Sequence, residues 1–165
     1  MVKVLDDNLR HYAEIIKRDL HADLADYPGA GAAGGLGAGL LAFTNSTMEK
    51  GVEIVVEYSG LKEKAQGADF VFTGEGGIDF QTKFGKTPYG VALATKQVAP
   101  NAPVIVIAGS VGDGINELYS EKSIDAIFTS VAGVKTLQEA LDTATHDVAQ
   151  VAENIGRLVA KTLAK

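Results

Sequence analysis

Three short apolar runs constrain this chain more than any other feature. Phe70-Val71-Phe72-Thr73 ends at Gly74, Pro103 to Ala108 ends at Gly109, and Ile124 to Ser130 is the third. Helical stretches over about 88–98 and 113–120 lie between them. Strands that are apolar at every position are covered on both faces, and alternation with helices makes them parallel. The second half therefore reads as βαβαβ, an α/β fold with a parallel sheet of at least three strands covered by helices. A long helix over about 137–163 follows, opened by a capping box at Thr136 and Glu139. Its stripe of Leu137, Leu141, Ala144, Val148, Val151, Ile155, Leu158 and Thr162 suits packing on the sheet better than a coiled coil, because several members are small.

A helical, glycine-rich segment precedes the sheet. Leu5, Leu9, Tyr12, Ile16 and Leu20 recur at helical spacing and predict a helix over about 5–20. Residues 21–28 read as a polar loop, with His21, Asp23 and Asp26 as further cleft candidates. No residue from Tyr27 to Met48 is charged. That stretch is too poor in bulky side chains for a membrane span. It predicts a buried helix over about 32–46, with Gly31, Gly35 and Gly39 letting another backbone approach. Residues 51–66 suit either a strand or a short helix, and helix is the expectation.

With 165 residues, a net charge of -6 and no cysteine, the chain is expected to form one domain or slightly more. It is expected to bind no nucleic acid, since a binder would carry a basic face. It has no thiolate metal site. His11, His21 and His146 lack metal-ligand spacing. The charged amino-terminal helix leaves no room for a signal peptide, so a cytoplasmic protein is expected.

Nineteen glycines are clustered, and two clusters fall at strand ends, where open parallel sheets bind ligands. The first spans Gly74, Glu75, Gly76, Gly77, Ile78 and Asp79, followed by Gln81, Thr82, Gly85, Lys86, Thr87 and Pro88. It is expected to turn sharply and aim backbone amides at a ligand. Glu75 and Asp79 would hold Mg²⁺, orient a hydroxyl, or cap local turns. Gly85-Lys86-Thr87 resembles the tail of a phosphate-binding loop, but Phe80 stands where that motif needs glycine. Thr87 as N-cap and Pro88 as first helical residue would leave amides beside Lys86 to receive a phosphate or carboxylate. The second cluster, Gly109-Ser110-Val111-Gly112-Asp113-Gly114, is also expected to be a turn. Gly29, Gly31 and Gly34 spell GxGxxG by letter, but no strand precedes them, so a dinucleotide site is not expected.

The blocks Pro28 to Leu40, Thr73-Gly-Glu-Gly through Asp79, Gln81-Thr82, Gly85-Lys86, Pro88, Gly90 and Ala108-Gly-Ser together resemble the type I glycerate kinase family. The resemblance runs from about Leu5 to Lys161 and covers only the C-terminal half of such kinases. It implies phosphorylation of D-glycerate by ATP with Mg²⁺, giving 2-phosphoglycerate or alternatively 3-phosphoglycerate, in a cleft between two α/β domains. Residues 1–66 would then be part of the second domain or its hinge, and residues 67–165 a Rossmann-like portion. The resemblance makes Glu75, Asp79 and Lys86 the expected catalytic residues. Gly74, Gly76, Gly77, Gln81, Thr82, Thr87, Gly109 and Ser110 are the expected substrate or nucleotide contacts. The implied partners are glycerate, ATP and the N-terminal half of the same polypeptide, with homo-oligomers possible and no membrane. This chain alone is expected to be inactive. A rival reading is a non-catalytic α/β domain that binds a small anion or a protein.

Overall fold

The computed structural model describes residues 1–163. Its residues form two compact units, one over Met1–Glu49 and one from Lys50 onward.

In the first unit, α1 spans Val2–Leu20 and α2 spans Ala32–Phe43. The α1 stripe buries Ile16, which packs with Leu24, Ala30 and Ala38. Leu5, on the same apolar stripe, is 58% exposed. The helix ends at His21, which adopts the left-handed conformation (φ 56°). The first turn of α2 is not regular: Ala33, Gly34 and Gly35 are all left-handed. The close backbone approach expected of this helix occurs, but at Gly37. A Cβ there would overlap the Gly29 carbonyl oxygen and stand 3.1 Å from that of Ala30. Gly31 faces open space, while Gly35 and Gly39 face Leu9 and Tyr12 side chains. The helix stops at Thr44 rather than at 46. The Thr44 hydroxyl donates to the Leu40 carbonyl (2.6 Å), as does that of Ser46 (3.0 Å), which draws the chain out of helical geometry.

In the second unit, α3 (Gly51–Tyr58) and α4 (Leu61–Ala65) settle residues 51–66 as helix. They belong to this unit rather than to the glycine-rich segment. α3 lies close against α5 (Thr87–Val98), where a Cβ on Gly90 would overlap the Val52 side chain. The sheet has strands β1 (Val71–Ile78), β2 (Val104–Val111) and β3 (Ala126–Thr129) in that order, all parallel. Val71 pairs with Val104, and Ile105 with Ala126. The central strand is buried through Val104, Val106 and Ala108, which form a core with Ile78, Ala92, Leu118 and Ile124. At the amino end of the sheet, the buried Lys96 ammonium lies 2.9 Å from the Asp125 carboxylate. The same carboxylate oxygen accepts the Val104 amide (2.7 Å), so α5, β2 and the start of β3 share one anchor.

Three expectations are corrected. The glycine clusters begin as strand rather than turn: β1 continues through Gly74–Ile78 and β2 through Val111, and of the second cluster only Asp113 and Gly114 form a turn. Residues 113–120 form only a 3-10 turn, Ile115–Leu118. The long closing helix is divided into α6 (Leu137–Asp142) and α7 (Ala144–Leu163). The Thr143 hydroxyl at the break lies 2.9 Å from the Glu139 carbonyl and 2.8 Å from the Asp147 carboxylate, so its one proton is shared between two acceptors across the break. The capping box at Thr136 and Glu139 is present as expected. Among the described residues, no helix is long and apolar enough to cross a membrane.

Candidate functional site

The structure separates the expected site residues into two groups. The first lines a cleft of about 770 Å³ at the carboxyl ends of β1 and β2, closed on the other side by α6 and α7. Gly74, Glu75 and Gly76 contribute from β1, and Gly109 and Ser110 from β2. These glycines do not turn the chain. A Cβ on Gly74 would stand 2.9 Å from the Ile107 carbonyl oxygen, and one on Gly77 2.7 Å from the Ser110 hydroxyl. Their smallness serves close pairing of two strands. Gly76 alone of this set faces open space. Glu75 is exposed, and one of its oxygens accepts the Gly76 amide at 3.2 Å.

The second group forms the turn that follows β1. Asp79 caps the 3-10 helix Phe80–Phe84, accepting the Gln81 amide at 2.9 Å. Thr82 is fully buried, and its hydroxyl accepts the Asp79 amide at 3.2 Å, completing a capping box. Gly85 takes the left-handed conformation that ends this helix (φ 111°). Lys86 then serves as N-cap of α5, with Thr87 inside the helix, one position off the expected cap. The Lys86 ammonium lies 3.3 Å from the Asp79 oxygen that also receives the Gln81 amide, and both side chains are about one-third exposed. The turn thus presents a paired lysine and carboxylate over a rigid, hydrogen-bonded base. Gly77, Asp79, Gln81, Thr82, Lys86 and Thr87 are not among the residues lining the cleft.

Lys135, Thr143 and Asp147 were not expected. Lys135 lines the cleft, and its ammonium lies 2.9 Å from the Thr143 hydroxyl and 2.5 Å from the Asp147 carboxylate. Asp147 is only 5% exposed. Hydrogen bonds from Lys135, then Thr143, hold its carboxyl down to about 2, with a smaller contribution from His146. A signal was present: Asp147 lies three residues after Ala144 and four before Val151, so an acid sits on the apolar stripe of the closing helix. A buried carboxylate requires a partner, and Lys135 is that partner.

Among the described residues, no three His, Cys, Asp or Glu side chains gather to hold a metal. His21 caps α1, and Asp23 is paired with Lys17 at 2.5 Å.

The second unit is an α/β domain of the open, parallel-sheet class with a cleft at the carboxyl ends of its strands, the place where such sheets bind ligands. Comparison with known proteins gives the family. The Glycerate kinase family profile matches residues 1–160, and the chain belongs to that family. It is 47% identical over 154 residues to a glycerate kinase of Halalkalibacterium halodurans, covering 93% of this chain and 40% of the relative. It is 43% identical over 160 residues to the glycerate 2-kinase of Escherichia coli, covering 97% of this chain and 41% of the relative. A crystal structure from Salmonella typhimurium LT2, designated glycerate kinase 2, superposes with a TM-score of 0.72 at 41% identity, covering 94% of this chain and 39% of that one. The chain thus spans about 40% of the length of the curated relatives it matches.

Proposed function

We propose that this chain is the C-terminal part of a glycerate kinase, a protein that transfers the γ-phosphoryl group of ATP to D-glycerate and yields 2-phosphoglycerate. Family membership over nearly the whole chain is the observation that carries this reading. The 2-position follows the printed name of the Escherichia coli relative. The residues of this chain fit the chemistry. Phosphoryl transfer depends on positioning and charge neutralisation rather than on a covalent nucleophile. Lys86 supplies a positive charge that Asp79 holds in place over the capped turn. Glu75 and Asp79 each have one carboxylate oxygen for which no hydrogen bond is found among the described residues. One or two such oxygens, with waters and phosphate oxygens, make the usual environment of Mg²⁺. The ion would neutralise charge on the transferring phosphoryl group. Gln81, in the turn that Asp79 caps, and Thr87, next after Lys86, would contact substrate or nucleotide, while Thr82 acts through the turn it caps. The protein would work in the cytoplasm, where ATP is at hand.

The test is a chimera in which this chain replaces the matching segment of the Escherichia coli relative. D-glycerate-dependent ADP release is then measured for the chimera and for this chain alone. The chimera is expected to turn over, and the isolated chain to show at most about one-hundredth of that rate, because misplaced substrates alone cost about 100-fold. A folded chimera without glycerate-dependent turnover sinks the reading. Comparable turnover by the isolated chain removes the need for the N-terminal half.

A further inference from the structure

We propose that the cleft between the ends of β1 and β2 and helices α6 and α7 takes a nucleoside phosphate, with Lys135 binding the phosphate and Asp147 and Thr143 positioning that lysine. The proposal rests on the kinase reading and deepens it, because it places the base and the phosphate held by Lys135 in a cleft that the Lys86 turn does not line, and leaves that turn the transferring phosphoryl group and the acceptor.

The first support is size. At about 770 Å³, the cleft matches pockets that enclose ligands much larger than a three-carbon acid. The second is its lining, which is mainly apolar. Phe72, Ile107, Leu137, Leu141 and Val148 all face it, and of these Phe72, Leu137 and Leu141 are more than half exposed. Such a surface suits a planar base far better than it suits glycerate, whose every carbon bears oxygen.

The third support is charge. Lys135 is the only cationic residue lining the cleft among the described residues. An ammonium has three donors, and Asp147 and Thr143 take two. The third remains for a ligand. A freely solvated lysine would explore many rotamers. This one is fixed by a carboxylate that is itself buried, on an arrangement whose desolvation makes it a poor source of stability alone. A mainly apolar cleft with one fixed charged group is a common build of a small-molecule site. Glu75 lines the same cleft, and a carboxylate beside phosphates is matched by a bridging Mg²⁺.

The experiment is calorimetric titration of the chain with ADP, adenosine and D-glycerate in separate arms, each with Mg²⁺, beside melting curves. Lys135→Met should weaken ADP by about 10- to 100-fold, the range for a lost charged hydrogen bond, and leave adenosine unchanged. Lys135→Arg should recover part of the ADP affinity. Asp147→Asn should show the same selective loss, since it acts through the lysine. A purely structural ion pair would instead weaken ADP and adenosine alike. That result overturns the proposal, as does equal ADP affinity in wild type and Lys135→Met. Failure of the wild-type chain to bind ADP overturns it too and assigns the apolar lining to contact with the remainder of the kinase. A loss confined to the D-glycerate arm makes the cleft an acceptor site and not a nucleotide site. ADP binding that depends on Lys135, in a chain whose chimera does not phosphorylate glycerate, retains the site and sinks only the kinase reading.

Discussion

A Cβ placed on Gly109 would stand 2.7 Å from the carbonyl oxygen of Gly76, across the pairing of β2 with β1. Real Cβ atoms do not approach a backbone oxygen so closely, and a strand ladder cannot yield as a side chain can. Gly109→Ala should therefore destabilise the chain by about 1–3 kcal/mol, the range for overpacking. Gly76→Ala meets no atom within 4 Å and should change stability far less. Urea denaturation of the two variants tests the contrast, and equal midpoints would disprove it.

The same logic applies in the first unit. Gly37→Ala would drive a methyl into the Gly29 and Ala30 carbonyls, whereas Gly31→Ala enters open space. The expected loss at Gly37 is again about 1–3 kcal/mol, with little change at Gly31. Urea denaturation serves again. A Gly37→Ala chain with the wild-type midpoint would mean that the close approach does not exist.

Asp147 gives the chain an acid-side dependence of known sign. Its folded carboxyl titrates at about 2, below the ordinary value of 3.8. Protons therefore bind the unfolded chain more readily in that interval. The stabilisation is complete above about pH 5, declines below pH 4 and is lost as pH falls through about 2. Asp147→Asn has no such titration. The gap in stability between wild type and Asp147→Asn should hold constant from pH 7 to 5 and narrow steadily from pH 4 to 2. A gap independent of pH would show that the carboxylate is not ionised against Lys135.

In the chimeric kinase, Lys86→Ala should lower kcat by about 100- to 1000-fold, the effect of removing one electrostatic donor. KM should rise much less, because the interaction strengthens as charge shifts during transfer. Lys86→Arg should rescue in part, since a planar fork does not replace a compact ammonium. Stability should barely change, because the Lys86–Asp79 pair is partly exposed. Near-normal kcat in Lys86→Ala would return the lysine to a helix cap and nothing more.

How far the sequence is legible depends on which force decides each element. The three strand cores and the buried face of β2 follow from apolar runs, because burial decides them. The extensions of β1 through Gly74–Ile78 and of β2 to Val111 do not. Glycine is disfavoured in strands and common in turns, so local preference points away from the ladder that tertiary pairing imposes. The break at Thr143 interrupts a stripe that continues on both sides of it, and nothing in the apolar period marks it. Of the site, Glu75, Gly76, Gly109 and Ser110 were legible as cleft residues because strand ends are where such folds bind ligands. Asp79 and Thr82 were legible as polar turn residues, but the capping box that occupies them is a matter of geometry. Lys135 was not legible. Its significance depends on Asp147, which is separated from it in the chain and meets it only once α7 has folded.

The parallel ladder also sets when the sheet can form. Val71 meets Val104 only after the whole of α5 has crossed over, and Ile105 meets Ala126 only after a second crossing. Neither pair can zip from a hairpin, and the entropy of both loops is lost before any ladder contact compensates it. Helices α1 and α7 need no such wait. Until the crossovers close, the β1 and β2 edges carry unpaired backbone donors and acceptors. Folding speed should be governed by that crossover, and crowding or a raised concentration at that moment favours pairing between chains over pairing within one.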